Sequence, residues 1–68
     1  MTPREIIDLF GGIRPMQKAL DHSHPTTVAY WFKKNHIPGW RRDEIVRAAR
    51  RKRLKLSAAA LDAALEHL

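Results

Sequence analysis

The sequence has no cysteine and no long apolar run, and each absence excludes a class of protein. Without cysteine there is no disulfide-stapled secreted miniprotein, and no site that holds zinc or an iron–sulfur cluster through thiolates. No apolar run approaches the roughly 18 residues that a transmembrane helix needs. Residues 1–5 do not have the pattern of a signal peptide. We therefore expect a soluble protein of the cytoplasm.

The chain is short, with 68 residues. This length allows one domain with a small core, and it is too short for a usual enzyme scaffold with an enclosed active site. No Ser–His–Asp set, carboxylate pair or glycine-rich phosphate loop stands out, so we expect no enzyme activity and no cofactor. Apolar residues make up 44% of the sequence, which is enough for a packed core rather than a disordered chain.

Basic residues outnumber acidic ones by 13 to 7, which gives a formal net charge of +6. Such an excess favours a polyanionic partner, either nucleic acid or an anionic membrane surface. The charge is also segregated, because residues 33–55 contain ten basic and two acidic side chains while the rest of the chain is slightly acidic. This distribution predicts one basic face rather than a uniformly charged surface.

Helix-start and helix-stop residues divide the chain into five short helices. Thr2 and Glu5 have the spacing of a capping box, and Gly11-Gly12 ends the first helix. Asn35 is suited to end the third helix and Ser57 to cap the last. The expected helices span about 3–10, 14–20, 25–35, 42–53 and 58–68. No stretch alternates as a strand does, so the sequence predicts an all-α, compact bundle of five short helices in one domain, residues 1–68.

Helical spacing assigns the larger apolar residues to the core. Ile6, Phe10 and Ile13 form one expected stripe, and Ile45, Val46 and Ala49 form another in the fourth helix. Val28 and Trp31 are expected to point inward from the third helix, with Phe32 beside them. Trp40 follows Pro38-Gly39 and is expected to plug the core; stacking of the two tryptophans on single-stranded bases is the alternative.

The second and third helices, with the polar turn between them, have the pattern of a helix-turn-helix. In such a motif the second helix is anchored inward while its opposite face enters the major groove of DNA. A mere packing corner between two helices is the alternative. The residues expected on the free face, where they would contact base edges, are Thr26, Thr27, Tyr30 and Lys33.

The stretches 6–12, 27–31, 37–38 and 42–49 resemble the small Cro-type proteins, and more narrowly the carph-isopro helix-turn-helix group of phages and bacteria. The most specific parts are Phe-Gly-Gly at 10–12, Thr-Val-x-x-Trp at 27–31 and Ile-Pro at 37–38. The resemblance implies a DNA-binding transcriptional regulator that reads its site with the helix bearing residues 27–31. The sequence departs from the usual motif near Gln17 and Asp21, and its turn through His24 is one residue longer.

Basic and polar residues around these helices are expected to contact the phosphate backbone, which would set affinity and register. The candidates are Arg14, Gln17, Lys18, His24, Lys34, Arg41, Arg42 and Arg51. A solvated helix face is the alternative for the basic run after Glu44, and a helix cap is the alternative for His24. His22, His24 and His36 have no carboxylate or cysteine at ligand spacing, so no metal site is predicted.

Together these features predict a sequence-specific regulator that binds double-stranded DNA, most simply a repressor that occludes a promoter. The alternatives are the DNA-binding antitoxin of a toxin–antitoxin pair and a non-specific architectural or RNA-binding protein. A membrane-surface peptide is disfavoured by the acidic side of the last helix. A single module buries only roughly 600–1,000 Å² on DNA, so a homodimer on a palindromic site is expected. Leu61, Leu65 and Leu68 would then either complete the core or form the dimer seam.

Overall fold

The computed structural model describes residues 1–65, which form five α-helices and one turn of 3₁₀ helix. The elements are α1 (Pro3–Leu9), α2 (Ile13–Ala19), α3 (Thr26–Lys34), the 3₁₀ turn Gly39–Arg41, α4 (Arg42–Arg51) and α5 (Ala58–Leu65). These residues contain no strand, and the expected all-α, compact architecture is confirmed. The part of the predicted last helix beyond residue 65, with Leu68, lies outside the described residues.

Several helix boundaries differ from the expected ones by one or two residues, and the backbone conformation explains two of these differences. The sequence predicts Ile13 on the stripe of the first helix, but this residue begins α2, because Gly11 and Gly12 have φ values of 104° and 118° and redirect the chain. The fourth helix ends at Arg51 rather than 53, because Arg53 has a left-handed φ of 55°. The 3₁₀ turn before α4 was not predicted.

The N-terminal ends of two helices are capped as the sequence predicts. The backbone N–H of Glu5 donates to Oγ1 of Thr2 at 3.3 Å, and the N–H of Thr2 donates to Oε1 of Glu5 at 2.7 Å. The bond from the N–H of Thr2 to the carboxylate, together with the Thr2 side chain, holds the pKa of Glu5 below its usual value. Oγ of Ser57 accepts from the N–H of Ala60 at the start of α5. The cap of α3 is Pro25, which has no side-chain acceptor, so the alternative role of His24 as a cap was wrong.

The first four helices all end in the same way, with one residue in the left-handed region. These residues are Gly11, Asp21, Asn35 and Arg53. After each of them, the next N–H donates back to a carbonyl five residues earlier, as Leu54 does to Ala49 at 2.9 Å. This is the Schellman arrangement, which satisfies carbonyl groups that a helix end otherwise leaves open. The expected role of Asn35 as the end of α3 is confirmed.

One apolar core lies between the helices, and every helix contributes to it. Val28 and Trp31 point into this core from α3, as the sequence predicts, with exposed fractions of 0% and 3%. Ile37 is fully buried after α3, and Leu61 and Leu65 join the core from α5. Two helices, α1 and α2, pack against α3 and hold it from behind, while α4 packs against α5.

Two apolar residues are less buried than the sequence predicts. Trp40 is 76% exposed, so its expected role as a core plug was wrong. The 3₁₀ turn carries its ring outward, and Ile37 takes the buried position nearby. In α4, Val46 is only half-buried, and Ala48 is buried together with Ile45 and Ala49.

The left-handed conformation of Arg53 generates a stability prediction. Glycine adopts this conformation without a Cβ clash, so Arg53→Gly is expected to raise the free energy of unfolding by about 0.5–1 kcal/mol. Arg47→Gly is the matched control, because it removes the same charge from an exposed position inside α4. That control is expected to lower the free energy of unfolding by about 1 kcal/mol. Urea denaturation measures both, and effects of equal sign would contradict the prediction.

Candidate nucleic-acid interface

The outward face of α3 carries hydroxyl and ammonium groups. Thr26, Tyr30 and Lys33 follow one another at i, i+4 and i+7, and all three are exposed, with Tyr30 at 58%. Thr27, the other expected base contact, is half-buried beside this row. Nζ of Lys34 lies 5.9 Å from the centre of the Tyr30 ring. The helix contains no acidic residue, so its outward face combines hydrogen-bonding groups with positive charge only.

The connection between α2 and α3 is held by its own hydrogen bonds. Asp21 is in the left-handed region with φ 59°, and the N–H of His22 donates to the carbonyl of Gln17 at 3.1 Å. The amide Nε2 of Gln17 donates in turn to the carbonyl of His22. Nη2 of Arg51 reaches from the end of α4 to the carbonyl of Ala19 at 2.6 Å. These bonds fix the direction in which α3 leaves α2.

A polar network joins the same connection to the start of α4. Oε2 of Glu44 lies 2.6 Å from Nε2 of His22, and Oε1 of Glu44 accepts from Nη1 of Arg41 at 2.9 Å. The guanidinium of Arg41 also lies over two rings, at 4.2 Å from the centre of Trp40 and 5.6 Å from that of Trp31. His22 meets Trp31 edge-to-face at 6.3 Å. The network thereby ties the turn before α3 and the inner side of α3 to α4.

Two opposing effects act on the pKa of Glu44. Partial burial raises it, whereas the hydrogen bonds from Arg41 and His22 and their positive charges lower it. The second effect prevails, so the pKa of this carboxyl lies below its usual value. A lowered pKa means that the ionised form of Glu44 stabilises the fold.

Arg4 secures the other end of α3, and sequence reasoning missed it. Its Nε donates to the carbonyl of Phe32 at 2.8 Å and its Nη2 to that of Lys33 at 3.1 Å. The guanidinium lies 5.4 Å from the centre of the Phe32 ring, and the backbone N–H of Arg4 donates to Oδ1 of Asn35. An arginine in the first turn of an N-terminal helix gives no sequence signal for this long-range contact.

The expected phosphate contacts divide into two groups by what they already bind. Arg42 pairs with Asp62 of α5 and with Asp43, and Arg41 pairs with Glu44. Gln17 and Arg51 donate to backbone carbonyls. These four side chains therefore have partners inside the fold. Within residues 1–65, no hydrogen bond or ion pair engages the exposed side chains of Arg14, Lys18, His24 and Lys34. That any of these eight side chains contacts a phosphate stays a prediction.

The basic side chains that follow Glu44 in α4 and in the segment after it face solvent. The exposed members are Arg47, Arg50, Arg51, Lys52, Arg53 and Lys55. Lys52 lies near two basic side chains of α2, Arg14 and Lys18, around a common cleft. The structure thus brings together cations that are far apart in the sequence.

Compared with protein-family models, curated proteins and solved structures, the chain matches none. None of the described helices is long and apolar enough to cross a membrane. Residues 1–65 also contain no cluster of three or more His, Asp or Glu side chains that could hold a metal ion.

The Glu44 network predicts how stability depends on pH. Because the pKa of Glu44 is lowered in the folded state, its contribution is complete above the ordinary glutamate pKa and is lost as the pH falls through the lowered value. Glu44→Gln is expected to lower the free energy of unfolding by about 1 kcal/mol at neutral pH. Between about pH 7 and about pH 3, the variant should then lose less stability than the wild type.

Asp43→Asn is the matched control for this pH experiment, because Asp43 is the neighbouring carboxylate and its side chain is 81% exposed. Urea denaturation at the two pH values measures all three proteins. A Glu44→Gln variant with the same pH dependence as the wild type would show that the network does not stabilise the fold.

The bond from Arg51 to Ala19 predicts that this arginine stabilises the fold whether or not it contacts DNA. Arg51→Ala is expected to lower the free energy of unfolding by about 1 kcal/mol, because a carbonyl at the end of α2 loses a charged donor. Arg50→Ala removes the same charge from the neighbouring exposed position and should change the free energy of unfolding by less than about 0.5 kcal/mol. Thermal denaturation of both variants in the absence of DNA is the measurement, and equal effects would contradict the internal role.

Proposed function

We propose that the protein is a helix-turn-helix regulator that binds double-stranded DNA in a sequence-specific manner, with α2 and α3 as the two helices of the motif. The observation that carries the proposal is the outward row Thr26, Tyr30 and Lys33 on a helix without acidic residues. These side chains can donate to and accept from base edges in a major groove about 12 Å wide. The resemblance to the Cro-type and carph-isopro groups supports the same proposal.

The anchoring of α3 supports a role in base recognition, because specific contacts require a helix that is held in one position. Val28 and Trp31 bury the inner side of α3 in the core. Arg4 binds its C-terminal carbonyls, and the His22–Glu44 pair connects the preceding turn to α4. A helix restrained at both ends and along its inner side keeps its outer side chains in register with base pairs.

Phosphate contacts would come first from side chains that make no hydrogen bond or ion pair in the described part of the chain. Arg14 and Lys18 project from α2, His24 precedes α3, and Lys34 lies at its end. Arg41 and Arg42 use only part of their guanidinium groups in ion pairs, so their remaining donors are also candidates. Contacts of this kind fix register and raise affinity without reading sequence.

In this proposal the protein acts as a repressor that occludes a promoter in the bacterial nucleoid, as a homodimer on a palindromic site. Two modules on half-sites about 34 Å apart would double the small area that one module buries on DNA. Nucleic-acid binding without sequence preference is the second candidate. It is favoured by the exposed cations of the run from Arg47 to Lys55, which includes no acidic side chain.

Selection of bound sites from random DNA duplexes separates the two candidates. The wild type is expected to enrich a defined motif, and Tyr30→Ala is expected to relax preference at one or two positions, at a cost of about 1–3 kcal/mol per lost contact. Arg14→Ala is the matched control. It should weaken binding to all sequences alike and flatten the dependence of log affinity on log salt by about one unit.

Two results would contradict the proposal of sequence-specific binding: no enriched motif, or no measurable affinity for duplex DNA. The same motif for Tyr30→Ala would remove Tyr30 from the base contacts. An enriched motif with an unchanged salt slope for Arg14→Ala would keep the proposal and remove Arg14 from the phosphate contacts. Circular dichroism of both variants checks that α3 and α2 remain folded, which we expect because both side chains are exposed.

A further inference from the structure

A cleft with an apolar floor and a cationic rim lies between α2 and the end of α4. It is open to solvent, has a volume of about 400 Å³ and is lined by Phe10, Arg14, Pro15, Lys18, Lys52 and Leu54. The outward face of α3 contributes none of these residues. The cleft is therefore a surface in addition to the one proposed to read DNA.

The floor of the cleft is apolar and held in place by the backbone. Phe10 belongs to the core, and Leu54 is half-buried against it. The backbone N–H of Leu54 donates to the carbonyl of Ala49, which fixes the residue just after α4. Gly11 lies so close to Pro15 that a Cβ at Gly11 would stand 3.3 Å from that of Pro15. A floor built in this way can receive an apolar side chain without rearranging.

The rim carries only positive charge. Arg14 and Lys18 stand on one side and Lys52 on the other, and all three are exposed. The shallower depression next to it shares Lys18 and Lys52, adds Arg51, and contains one acidic residue, Asp21. No carboxylate of the described residues lines the cleft itself, so its cations are available to an anionic ligand.

We propose that this cleft binds an acidic peptide segment of a partner protein. One large apolar side chain of the segment covers Phe10 and Leu54, and carboxylates on either side of it pair with Lys18 and Lys52. A DNA backbone offers phosphates to the rim but no apolar group to the floor. A membrane surface would require large apolar side chains exposed around the cleft, whereas those of the described residues are Met1, Tyr30 and Trp40.

The inference goes beyond the proposed function and does not depend on it. Arg14 and Lys18 take part in both, because they are also candidate phosphate contacts. A bound acidic peptide would then compete with DNA for these two side chains, which would make the partner an inhibitor of DNA binding.

Fluorescence anisotropy of a labelled synthetic peptide tests the apolar floor. The probe has a central Phe with two Glu residues on each side, and the control peptide has Ser in place of the Phe. Since both peptides carry the same charge, only seating of the ring distinguishes them. The Phe peptide is expected to bind about tenfold more tightly. Equal affinities would mean that the surface attracts anions without a binding site, which would overturn the inference.

Charge reversal tests the rim. Lys52→Glu is expected to weaken binding of the Phe peptide about fivefold or more. Lys55→Glu is the matched control, because it makes the same change in net charge at an exposed residue that does not line the cleft. It should weaken binding by less than about twofold. Equal losses of peptide affinity in the two variants would also overturn the proposal. If circular dichroism shows that Lys52→Glu has lost helix, Lys52→Met, which removes the charge without reversing it, takes its place.

The same variants measured on a random-sequence DNA duplex separate this inference from the proposed function. If Lys52→Glu weakens duplex binding while the Phe and Ser peptides bind equally, the cleft belongs to a nucleic-acid surface and the peptide proposal fails. If the Phe peptide binds as expected while the wild type binds no duplex, the peptide site stands and the proposed function fails. Competition between peptide and duplex is expected if both are correct.

Discussion

The burial of one shared apolar core is the interaction on which the rest of this structure depends. The described helices have seven to ten residues each, a length at which an isolated helix in water is not stable. Each helix persists because it buries one side against the others. This constraint decides the direction of α3, since Val28 and Trp31 must point inward, and it thereby turns Thr26, Tyr30 and Lys33 towards solvent.

Short helices have a large share of their backbone groups at their ends, and the fold satisfies these groups in two ways. Left-handed residues such as Asp21 and Asn35 close the helices through Schellman bonds. Arg4 and Arg51 donate to carbonyls at the ends of α3 and α2 from helices distant in sequence. Part of the positive charge of this protein therefore stabilises the protein itself.

The net charge of +6 consequently overstates what is offered to a partner in any one place. Arg41 and Arg42 already pair with carboxylates, and Arg4 and Arg51 with carbonyls. The remaining exposed cations have different surroundings. Some flank α3, whose outward row suits base recognition, and others surround the cleft beside Phe10, whose apolar floor suits an acidic peptide. If both proposals are correct, the two surfaces bind chemically different ligands.

By itself the sequence determined the helical architecture, the caps at Thr2 and Ser57, the end of α3 at Asn35 and the inward side of α3. All of these depend on residues within one or two helical turns, so local spacing encodes them. The tertiary structure decided which arginines are engaged, because Arg51 and Ala19 lie 32 residues apart and no local pattern records their contact. It also decided the exposure of Trp40 and the meeting of Lys18 with Lys52. Both follow from how the helices cross, which depends on the whole core.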